Sequence, residues 1–99
     1  MDVNQHTLVF RLGTDNQLEE IKIEGEIRNF IADLSGVSVD IAENVKEKFV
    51  TFDNSISKMN GSFVIVCAFS FNEDLTIVPT LQEAYDYIEM EEIERQLEL

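Results

Sequence analysis

His6 and Cys67 are the only imidazole and the only thiol in the chain. His6 lies in a terminus expected to fray. That removes Ser-His-Asp and Cys-His nucleophilic catalysis and every multi-histidine metal site. Cys67 alone cannot close an internal disulfide or build a zinc or iron–sulfur centre. It stands inside an apolar run, where a cysteine serves as core filler. The pairs Glu19-Glu20 and Glu91-Glu92 could supply carboxylates for acid–base work, but sequence neighbours point apart on a helix or a strand. Neither a Gly-x-Gly-x-x-Gly segment nor a Gly-rich loop ending in Lys and Ser/Thr occurs. The residues therefore point away from an enzyme, and no cofactor or metal is expected.

The charge balance narrows the partners. Twenty acidic residues face seven basic ones, for a net charge of −13 and an isoelectric point near 4.1. Such a polyanion repels phosphate backbones and anionic lipid headgroups, which excludes nucleic acid and membrane surfaces as direct partners. No apolar run approaches the roughly 18 residues of a membrane span. Met1 to His6 lacks the basic and apolar regions of a signal peptide, so a reducing, cytoplasmic setting is expected. Ninety-nine residues with 44% apolar content suit one domain, 1–99, with 1–6 frayed.

Several elements must position whatever the chain presents. Thr7 to Leu12 is rich in strand formers and ends at Gly13. In 17–27 the isoleucines at 21, 23 and 27 alternate with charged residues, which predicts a half-exposed strand in a hairpin with the first; a short helix from Asn16 is the rival. Phe30 to Leu34 reads as a short buried strand that stops at Ser35-Gly36. Ala42, Val45, Phe49, Phe52, Ile56 and Met59 then recur at steps of three and four, predicting a helix over 41–60. Asp40 with Glu43 resembles a capping box, and Gly61 is read as the stop. Phe63 to Phe69 is apolar throughout, as in a central strand covered on both faces. These segments make a βαβ unit, so the strands through Leu34 and Val66 should run parallel. Leu75 to Val78 predicts a short strand, and Thr80-Leu81-Gln82-Glu83 a capping box opening a last helix over 80–97.

That last helix changes faces. Leu81, Ala84, Tyr85 and Ile88 share one side and should pack on the sheet. Met90, Ile93 and Leu97 gather about 150° away, from the 100° step of an α-helix. One straight apolar face cannot serve both sets. Either the tail folds back on its own domain, or it shows these three residues to a partner or a second copy.

The segment Phe30-Ile31-Ala32-Asp33-Leu34-Ser35-Gly36-Val37 resembles the STAS family, named for sulfate transporters and anti-sigma-factor antagonists. There a strand reading Val-Leu-Asp-Leu-Ser-x-Val leads into the loop before the first long helix. The element order is similar too, as are Pro79-Thr80-Leu81-Gln82-Glu83-Ala84 and the tail Met90 to Leu97. The likeness spans residues 28–97 and is weak before them. It implies a regulatory module that binds a protein such as an anti-sigma factor of the kinase type. Regulatory members carry Asp-Ser-Ser/Thr-Gly in that loop and are switched by phosphate. Here, matching Asp40 to the motif's aspartate puts Ile41, Ala42 and Glu43 where Ser, Ser/Thr and Gly stand. An ungapped match puts Ala42 and Glu43 on the two hydroxyl positions. Neither leaves a hydroxyl, so the resemblance implies a module not switched at the usual loop. Glu43 either caps its helix or stands in for a phosphate.

The expected fold is thus α/β: a single STAS-like domain, with a mixed sheet of four or five strands and both helices, 41–60 and 80–97, on one face. The expected function is non-enzymatic protein binding through Ser38, Asp40, Ile41, Ala42, Glu43 and Asn44, with Met90, Ile93 and Leu97 as a second contact or a weak homodimer surface. The alternatives are a small-ligand or nucleotide-binding module and an acidic decoy imitating nucleic acid.

Overall fold

A computed structural model describes residues 2–4, 7–11 and 27–97, with side chains from residue 7 onward. The order is β1 (Asp2–Asn4), β2 (Thr7–Arg11), β3 (Asn29–Asp33), α1 (Val39–Lys58), β4 (Ser62–Val66), β5 (Ile77–Val78) and α2 (Leu81–Leu97). The strands form one sheet in sequence order. β1, within the stretch expected to fray, pairs antiparallel with β2. From β2 to β5 every pairing is parallel. The stretch 17–27, expected to be a strand or a short helix, lies outside the described residues, apart from Ile27, which is in no strand or helix. Both edges of β2 are already taken, by β1 and β3.

The expected parallel pair is present. Phe30 lies opposite Phe63 and Ile31 opposite Val64, and the Leu34 N–H extends the ladder to the Val66 carbonyl at 2.8 Å. α1 makes the connection between them. Such a crossover is needed because parallel strands cannot be joined by a tight turn.

The helices do not share a face. Side chains alternate across a strand, so Leu8, Phe10, Phe30, Ala32, Phe63 and Ile65 point one way. There they join Ala42, Val45, Phe49 and Ile56 of α1. Val9, Ile31, Val64 and Val66 point the other way and meet Ala84 and Ile88 of α2. The expectation of both helices on one face is therefore corrected. β3 and β4 are apolar on both sides, and each side requires its own cover.

The α1 side is the larger core. Phe52 sets its ring edge-on to Phe63, Phe30 and Phe10, with centroids 5.0, 5.2 and 6.1 Å apart, an arrangement favoured by the ring quadrupoles. Val45, Phe49 and Ile56 are buried from α1, each stabilising by roughly 1.5–3 kcal/mol. Cys67 is buried in the same cluster, as core filler would be.

Local chemistry sets the helix ends. α1 starts two residues earlier than the periodicity suggests, because Ser38 is its N-cap: extended, with its hydroxyl accepting from the Ile41 N–H at 3.4 Å. The expected Asp40–Glu43 capping box is not used. Asp40 sits in the first turn and Lys58 in the last, both favourable to the helix dipole. The C-terminus is a Schellman motif: the Gly61 N–H reaches the Ile56 carbonyl and the Asn60 N–H that of Ser57. Asn60, not Gly61, takes the left-handed conformation, with φ 60°. At the other long helix, the Glu83 N–H donates to Thr80 Oγ1 at 3.2 Å, as a Thr N-cap requires.

Candidate protein-interaction surfaces

The first candidate surface begins at the carboxyl end of β3. Asp33 is buried, yet both its oxygens are occupied. The Ser35 N–H and hydroxyl donate to Oδ1 at 3.0 and 2.6 Å, and the exposed Arg11 guanidinium lies 3.1 Å from Oδ2. Burial pushes this carboxyl up, but the Ser35 hydrogen bonds and Arg11 together outweigh it and hold Asp33 below the ordinary aspartate value. Asp33 is therefore a turn anchor rather than a free base. The Val37 N–H closes the turn onto the Leu34 carbonyl at 3.0 Å. Gly36 occupies its third position at φ 81°, where a type II turn requires a positive φ.

This turn delivers the start of α1. Ser38, Asp40, Glu43 and Asn44 are exposed, and Ile41 is half-buried. Ala42 is 0% exposed, so its place in the expected docking patch is withdrawn. It leads the inward stripe Ala42, Val45, Phe49, and a residue on that stripe cannot also face solvent. Sequence reasoning missed Val39, which is 51% exposed and supplies the apolar part of this surface. Its signal was the Ser38 cap, which makes Val39 the first helical residue.

The second surface lies on α2, and a buried polar cluster determines it. Asn29 and Ser62 open β3 and β4 and lie opposite each other. The Ser62 N–H donates to Asn29 Oδ1 at 3.2 Å. Asn29 Nδ2 donates to Glu92, and Ser62 Oγ donates to Glu91 at 2.7 Å. Arg95 reaches Ser62 Oγ at 3.1 Å and Asn29 Oδ1 at 3.4 Å. Among the described residues no buried side-chain nitrogen or oxygen lacks a partner.

By 100° steps, Ala84, Ile88, Glu91, Glu92 and Arg95 fall within one 100° sector of α2. The helix thus keeps one face inward throughout; that face is apolar beside the sheet and polar where it passes the strand starts. This resolves the apparent change of faces. Met90, Ile93 and Leu97 lie opposite the polar anchors and are 63, 51 and 79% exposed. Neither apolar cluster includes them. Leu81, expected on the sheet, is 37% exposed in the first turn, whereas Tyr85 packs as expected.

Asp53 of α1 is half-buried. Burial first, and then the charge of Glu91, push its carboxyl up. Among the described residues there is no group of three or more His, Cys, Asp or Glu side chains able to hold a metal ion, and no helix is long and apolar enough to cross a membrane. No family model, curated protein or solved structure matches this chain.

Proposed function

We propose that the chain is a non-enzymatic regulatory module of STAS-like kind that works by binding another protein. The observation that carries this reading is the outer stripe of α2. Met90, Ile93 and Leu97 are more than half exposed on a helix whose opposite face is already satisfied. Aliphatic side chains aligned over two turns and bordered by charge suit a protein interface better than a polar small molecule. The parallel β3 and β4 with α1 between them agree with the strand–helix–strand order on which the family resemblance rests. The start of α1 adds a second docking region, with Val39 and Ile41 among Ser38, Asp40, Glu43 and Asn44. In this reading Glu43 is an ordinary exposed acid just past the first turn, since the Ser38 hydroxyl already caps the helix.

The test is quantitative affinity capture from the native cell extract with wild type, Ile41→Asp and Met90→Asp as baits. A stoichiometric protein retained by wild type and lost with one variant supports the reading and says which surface binds it. If wild type retains nothing above background, the reading fails.

A further inference from the structure

We propose that the outer stripe of α2 is the seat for a basic amphipathic helix of another protein, and not for a second copy of this chain. This rests on the protein-binding reading above and adds the chemistry of the partner.

The argument is one of charge. Counting in 100° steps, Met90, Ile93 and Leu97 occupy a 60° stripe. Glu89 borders it on one side, Glu94 on the other, and Asp86 stands on its line one turn earlier; all three are exposed. The only cation in α2 is Arg95, and its guanidinium is turned inward onto Ser62 and Asn29. The stripe is therefore apolar with a rim of one sign. An isologous dimer places the same patch against itself, which would press carboxylates against carboxylates while the one basic group of each α2, Arg95, stays engaged with Ser62 and Asn29 on the inward face. A helix with an apolar stripe at steps of three and four, flanked by Lys or Arg, meets both features at once. The stripe spans only the eight residues from Met90 to Leu97, about 10 Å along the helix axis, so the contact is small and of the transient class.

The probe is a synthetic amphipathic peptide of about 18 residues, with leucines at helical spacing and lysine flanks. Its twin has glutamate flanks. Binding is followed by amide chemical shifts and by fluorescence anisotropy, and the chain alone by analytical ultracentrifugation. The lysine peptide is expected to bind, with shifts clustered in residues 86–97, and to weaken severalfold between low and physiological salt. The glutamate twin is expected not to bind. Met90→Asp should weaken the lysine peptide roughly 10-fold or more. The double variant Glu89→Lys with Glu94→Lys leaves the apolar stripe intact and should transfer preference to the glutamate twin. Equal binding to wild type and Met90→Asp, or shifts spread over the whole acidic surface, would mean bulk charge attraction and overturn the proposal. Self-association through 90–97, or binding of neither peptide, would overturn it as well. If a Met90-dependent protein is nevertheless captured from extract, the docking face stands and only the basic helix is wrong. If no protein is captured either, both readings fall together.

Discussion

At position 61 two stretches of backbone meet. A Cβ added to Gly61 would stand 1.9 Å from the Arg28 carbonyl oxygen and 2.9 Å from Ile56 Cγ2. The Ser62 N–H also reaches that same carbonyl, at 3.3 Å, so the approach is part of how β4 enters the sheet beside β3. Gly61→Ala should therefore cost roughly 3 kcal/mol, the upper range of overpacking, despite the smaller unfolded-state entropy of alanine. Urea denaturation measures it, and a loss under about 0.5 kcal/mol would mean that the backbone yields at that point. In the sequence, Gly61 reads as a helix stop. The stop belongs to Asn60, and the need for glycine comes from Arg28, more than 30 residues away. Ala42 is a different case, since its place on the inward stripe of α1 was legible in the spacing itself. Beside Ile41 in the sequence it looks like half of a surface patch, whereas the phase of α1 turns it wholly inward.

At the scale of the element, α2 is a helix with two kinds of anchorage on a single face. Ala84 and Ile88 hold its first half through apolar burial; Glu91, Glu92 and Arg95 hold its second half through hydrogen bonds to Asn29 and Ser62. Removing one partner from such a cluster leaves the others buried and unsatisfied. Arg95→Ala should accordingly destabilise by about 1–3 kcal/mol and raise hydrogen exchange chiefly in 89–97, where local opening becomes easier. Uniform acceleration over the whole of α2 would show instead that the helix opens as a unit. The N-cap of α2 was legible as Thr80, because a cap is a local device. The meaning of Glu91, Glu92 and Arg95 was not. Their partners begin two different strands, and charged residues on a helix look alike in a sequence whether they face water or an asparagine.

At the scale of the whole molecule, charges on the two helices act on one another although the helices cover opposite faces of the sheet. Asp53 of α1 is pushed up by burial and by Glu91 of α2. A folded-state value above the unfolded one means that the folded chain binds this proton more tightly. The cost of its charge is present at neutral pH and disappears as pH falls through the raised value toward 3.8. Asp53→Asn should thus stabilise at pH 7, by less than about 1 kcal/mol after solvent screening, and the gain should vanish near pH 3. Thermal unfolding of both proteins at the two pH values checks this; a gain that persists at pH 3 would mean that the charge is not its cause. By itself the sequence determined the α/β class, the parallel β3–α1–β4 unit and the inward stripe of α1, and it left open whether Met90, Ile93 and Leu97 fold back or face outward. What it determined follows from periodicity, apolar runs and caps, which act over a few residues. Only the tertiary structure decided that the helices take opposite faces, that Asn29 and Ser62 anchor the end of α2, and that Arg95 turns inward to leave the stripe bordered by acids alone. Each of these depends on which distant groups meet when buried polar atoms must find partners and both sides of a central strand must be covered, and spacing along the chain carries no record of that.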